Sequence, residues 1–148
     1  MMPPVDADVL EHEIRIAASP ETVFAYFTDP AKMIGWKGIR AELNPWPGGL
    51  YRVDINGRDV ARGEYVEIDP PHRLVFTWGW EGGPVPPGST TVEVTLTPDG
   101  AATVVRLRHL GLPPAHRPIH KDGWDHYLPR LAAAAEGRGA GRDLGVPG

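Results

Sequence analysis

The sequence of 148 residues contains no cysteine, which excludes a disulfide framework, a thiolate nucleophile and a cysteine-built zinc site. Serine is nearly as scarce. Ser19 and Ser89 are the only two, and neither stands in the Gly-x-Ser-x-Gly setting of a hydrolase nucleophile. No window approaches the ~20 apolar residues of a membrane span, and residues 1–13 have neither the basic nor the apolar part of an export signal. The expectation is a soluble, cytoplasmic chain. Basic runs are also missing: 15 Lys and Arg face 19 Asp and Glu, a net charge of −4. That balance leaves no footprint for nucleic acid or an anionic membrane.

Glycine (18) and proline (17) are abundant, but they punctuate the chain and do not pool into a linker. Residues 9–17 alternate Leu10, His12, Ile14 and Ile16 with Glu11, Glu13 and Arg15, the period of a half-buried strand. Ser19-Pro20-Glu21 is an N-cap with proline at the first helical position, and Asp29-Pro30 repeats the signal, so two short helices follow. Strands are then predicted over 39–43, 50–55, 59–68, 74–80, 91–97 and 103–109. They are separated by turn signals at residues 44–49, Asn56-Gly57, Asp69-Pro70-Pro71, residues 81–88 and Pro98-Asp99-Gly100. Whether Arg62 and Glu64 face inward depends on a bulge near Gly63, which the pattern leaves open. Consecutive hairpins imply an antiparallel meander with one covered face.

The cover is the stretch 120–137. At about 100° per residue it places His120, Trp124, Tyr127, Leu128, Leu131 and Ala135 on one face, with Asp122, Asp125, His126, Pro129 and Arg130 opposite. Gly137 supplies the stop. One domain over residues 9–136 with a flexible tail at 137–148 is expected, with no internal repeat.

This order of elements carries a resemblance. Residues 18–24 after the first strand, Gly48-Gly49, Ile68-Asp69-Pro70-Pro71 before residues 74–78, and Gly123-Trp124 with Leu128 and Leu131 resemble the START/Bet v 1-like (SRPBCC) helix-grip superfamily. Within it, they resemble the group related to the C-terminal domain of the activator of Hsp90 ATPase. The resemblance implies an α+β fold in which a curved antiparallel sheet wraps around a long C-terminal helix, with a gap between them that can hold an apolar ligand.

The residues expected to line such a cavity are Tyr51, Phe76, Trp78, Trp80, Leu107, His109, Trp124, Tyr127 and Leu128. The same aromatics can equally fill a core, and Trp80 and Trp46, near loops, can form a rim. His109 is read in two ways, as an acid or base near neutral pH or as a buried imidazole satisfied by protein groups. His12 and His120 also point inward, but none of these three histidines is spaced as an i, i+4 helical pair with another and no carboxylate pairs with them in sequence, so a metal is not expected. Gly48-Gly49 and Gly82-Gly83 lack the strand-to-helix setting of a phosphate cradle. No metal, cofactor or catalytic residue is assigned. The leading expectation is a binding protein for a small apolar or aromatic molecule. The alternatives are a cyclase- or hydrolase-like enzyme in the same cavity, and a chaperone-associated interaction domain with a protein partner.

Overall fold

The computed structural model describes residues 9–141; residues 142–148, with Leu144 and Val146 of the expected tail, lie outside the described residues. The elements are β1 (Val9–Ile16), α1 (Pro20–Thr28), α2 (Pro30–Met33), β2 (Arg40–Leu43), β3 (Leu50–Asp54), β4 (Val60–Asp69), β5 (Arg73–Trp78), β6 (Thr90–Asp99) and β7 (Ala102–Leu110). A 3-10 turn, Pro114–His116, then leads into α3 (Arg117–Ala135). All strands pair antiparallel in one sheet of order β1-β7-β6-β5-β4-β3-β2. The helix-grip expectation holds: the curved sheet closes around α3, with α1 and α2 joining its two edge strands.

Local chemistry explains each connection. Ser19 caps α1 by accepting from the Thr22 N–H at 3.2 Å, and Asp29 caps α2 by accepting from Ala31 at 2.9 Å. Pro20 and Pro30 follow these caps at the helix starts. The Asn56-Gly57 hairpin forms, but with five residues between the strands, because the Asn56 side chain accepts from both Arg58 (3.0 Å) and Asp59 (2.8 Å) and wraps an Asx turn. Arg62 and Glu64 both point outward. Ala61, Gly63 and Tyr65 take the inner face, and the register shift lies further on, between Tyr65 and Glu67. Gly63 sits so close to β5 that a Cβ there would stand 1.8 Å from the Thr77 carbonyl oxygen.

The buried face of α3 is His120, Gly123, Trp124, Tyr127, Leu128, Leu131 and Ala132, close to the expected stripe. Pro129 is exposed on the opposite side. The helix starts three residues before the expected boundary because Pro118 stands in its first turn, where proline's missing N–H costs nothing. It ends in a Schellman motif: Arg138 donates to the Ala133 carbonyl (2.9 Å), Gly137 to that of Ala134 (3.1 Å), and Gly137 takes φ +79°. Glu136 then accepts from the Ala17 N–H at 2.8 Å, tying the helix end to the end of β1. Arg130 reaches past the helix to the carbonyls of Ala140 (2.9 Å) and Gly141 (2.8 Å). No helix among the described residues is long and apolar enough to cross a membrane.

Candidate functional site

Alternation along β5 sends Leu74, Phe76 and Trp78 to the inner face, where β3, β7 and α3 meet them. Tyr51 stacks on Phe76 with ring centroids 4.3 Å apart. Trp78 stands edge-on to His109 at 5.1 Å and to His120 at 5.2 Å. Of the nine residues expected at a cavity wall, eight are 4% exposed or less and pack into the common core. Trp80 alone lies partly open, just past the end of β5. Burial holds the hydroxyls of Tyr51 and Tyr65 above the ordinary phenol range, that of Tyr65 with a smaller push from Tyr51.

His109 is saturated. The indole N–H of Trp124 donates to its Nδ1 at 3.1 Å, so that nitrogen carries a lone pair and the proton sits on Nε2. Nε2 donates to Thr90 Oγ1 at 2.9 Å, and the Thr90 hydroxyl donates to the Trp78 carbonyl at 2.7 Å. A second proton on the ring would face an N–H with an N–H. Burial, and then the nearby His120, Lys37 and His12, hold this imidazole well below its ordinary value of 6.5. A group so held is a poor acid or base near neutral pH.

His120 has the opposite tautomer. Its Nδ1 lies 2.7 Å from the His116 carbonyl, which can only accept, so Nδ1 carries the proton. Nε2 is left as an acceptor, filled by the indole N–H of Trp80 at 3.0 Å. Burial lowers this imidazole too; the bond to His116 opposes that, and the Lys37 charge adds to it.

This Trp80–His120 pair is part of the wall of a pocket of about 320 Å³, which Asp59, Val85, His116 and Ile119 help to line. The pocket lies between the loop after β5 and the first turn of α3. Gly79 allows the loop to return, since a Cβ there would meet the Pro86 carbonyl oxygen at 1.9 Å. The backbone of Trp80 is pinned to Val85 (2.6 Å) and bridges Ala61. Beside it, Glu81 is fixed by Arg52 at 3.1 Å and Arg62 at 3.4 Å, which hold its carboxyl below the usual range. Two other hollows, one beside Arg62, Glu64 and Thr77 and one beside Glu11, Glu13 and Arg106, are walled largely by charged and polar groups.

Sequence reasoning missed Lys37, Thr90, Val85, His116 and Ile119. Lys37 is fully buried, and its ammonium lies 4.3 Å from the ring centroid of Trp124, 4.9 Å from Tyr127 and 5.5 Å from Trp78. Nothing in Gly35-Trp36-Lys37-Gly38 marks a lysine as internal, because the burial comes from α3 packing over the loop after α2. His12 does face inward, and its Nε2 meets Asp125 of α3 at 3.1 Å.

A seven-stranded antiparallel sheet gripping one long helix defines a helix-grip protein. The model of the "Activator of Hsp90 ATPase homolog 1-like protein" family matches residues 17–136, and the chain belongs to that family. Among solved structures, it is similar to the AHSA1-like protein of Rhizobium etli (47% identity, TM-score 0.70, 91% of this chain and 83% of that one). It is also similar to DynU16, a protein of the dynemicin biosynthetic locus (28% identity, TM-score 0.79, 91% of this chain). It spans about half of DynU16, 49%. An Hsp90 activator of Plasmodium falciparum, at 23% identity and TM-score 0.69 over 84% of this chain and 94% of that one, shares the fold. Among curated proteins, none matches the sequence.

Proposed function

We propose that this protein binds a small aromatic or apolar molecule at the end of the grip, in the pocket walled by Trp80, Val85, Ile119 and His120. The observation that carries the reading is that pocket. It has about 320 Å³, within the range of small-molecule sites, and a largely apolar lining with one hydrogen-bonded polar pair. Of the nine residues expected at a cavity, Trp80 forms its wall. Trp78, His109, Trp124 and Tyr127 form the packed layer behind, with Leu107 and Leu128 in the same core and Tyr51 and Phe76 further along the sheet. Binding is favoured over acid–base catalysis in this layer because both ring nitrogens of His109 are already committed.

Calorimetric titration and thermal denaturation with bicyclic aromatics test the reading. A ligand that binds only the folded state should stabilise it by about 2.7 kcal/mol at a hundredfold excess over its Kd. Ile119→Glu should abolish the effect without unfolding the protein, since Ile119 is 52% exposed. If no member of a broad panel raises the melting temperature, the reading is wrong.

A further inference from the structure

We infer that His120 Nε2 is the polar anchor of this pocket, and that the ligand is an aromatic molecule bearing a hydroxyl or ring N–H donor, such as a phenol or an indole, which displaces the side chain of Trp80. The inference rests on the pocket reading above and adds the chemical class of the ligand.

The tautomer decides the class. With its proton fixed on Nδ1 by the His116 carbonyl at 2.7 Å, His120 offers the pocket a lone pair and no donor. A ligand must therefore bring the hydrogen. The group now filling that role is an aromatic ring with an N–H, the indole of Trp80, 3.0 Å away. It belongs to the pocket's own wall and is only partly buried, whereas Trp78 behind it is fully buried. Because the Trp80 backbone is held by Val85 and Ala61, exchange requires the side chain alone to turn.

A phenol hydroxyl or an indole N–H supplies that hydrogen. A carboxylate cannot, having no hydrogen for Nε2. The carboxylates at the pocket are engaged: Asp59 accepts from Asn56 at 2.8 Å and Glu81 is held by its two arginines.

The test is calorimetric titration of the full chain with 2-naphthol, 2-methoxynaphthalene and 2-naphthoate at pH 7.5. The naphthol should bind on the order of tenfold more tightly than the methyl ether, the difference one hydrogen bond supplies. Trp80→Phe, which removes the internal competitor, should tighten naphthol binding further, and His120→Phe should erase the preference. If His120→Phe does not fold, the wild-type ratio and the Trp80→Phe result decide. Equal affinities for naphthol and ether, or tightest binding of naphthoate, overturn the anchor while the pocket stands. Failure of all three to bind removes the pocket itself.

Discussion

At the residue scale, His109 and the groups bonded to it are matched one donor to one acceptor. The run from the Trp124 indole through His109 and Thr90 to the Trp78 carbonyl leaves no spare hydrogen. Thr90→Val keeps the shape but strands the Nε2 proton of His109, and a buried unsatisfied donor costs about 1–3 kcal/mol. Urea denaturation should show a loss of that size, and Thr90→Ser should recover most of it. If Val is tolerated and Ser gives no advantage, the hydroxyl is not part of a bonded chain. Lys37 acts on the same groups through space, since its charge lowers both His109 and His120. In Lys37→Met, both imidazoles should therefore titrate at higher pH by NMR. Unchanged values would mean that burial alone sets them.

At the element scale, α3 is held by its apolar stripe and its C-terminal cap, not by intrinsic propensity, for it carries Pro118, Gly123 and Pro129. Trp124 is fully buried and bonded to His109, so Trp124→Ala should cost roughly 3–5 kcal/mol in chemical denaturation. A loss under about 1 kcal/mol would show that the helix is not gripped there. Gly137→Ala should cost about 1 kcal/mol, because its φ of +79° is strained for any residue with a Cβ. The elements were legible in sequence because period-two alternation along β1, β3, β6 and β7, and the stripe from His120 to Leu131, follow directly from which face is buried. The pocket was only partly legible. Alternation with Leu74, Phe76 and Trp78 and the adjoining Gly- and Pro-rich loop point to Trp80, but its hydrogen bond to His120 spans forty positions of chain. No local pattern encodes such a pairing. Lys37 was invisible for the same reason, as a charged residue next to glycines reads as a solvated loop until α3 closes over it.

At the scale of the whole molecule, the two sides of the sheet store stability differently. The outer side carries ion pairs between neighbouring strands, Arg106 to Glu13 at 2.6 Å and Arg108 to Glu11 at 3.0 Å and Glu93 at 3.1 Å. Such exposed pairs contribute little each and are screened by salt. The inner side carries neutral imidazoles that water cannot screen, so pH should matter more than salt between pH 8 and 5. His109 and His120 have folded values below the ordinary 6.5, which means the unfolded chain binds protons first. Their contribution is complete above about pH 6.5 and is lost as pH falls toward the lowered folded values, at up to about 1.4 kcal/mol per pH unit for each histidine. Glu81, Asp125 and Glu136 are also lowered, but their stability is lost only through the more acid carboxylate range, which separates the two effects. Urea midpoints measured at pH 8, 7, 6 and 5 should be level at first and then fall below about 6.5. His109→Gln should flatten part of that fall, as Gln can accept from Trp124 and donate to Thr90 without titrating. Lys37→Met should leave the onset near 6.5, which the unfolded chain sets, and end the fall at a higher pH with a smaller total loss by pH 5, since the folded rings then accept protons sooner. A midpoint independent of pH down to 5.5 in the parent protein would mean that folded and unfolded chains protonate alike, and that the two imidazoles are not locked in the tautomers their neighbours demand.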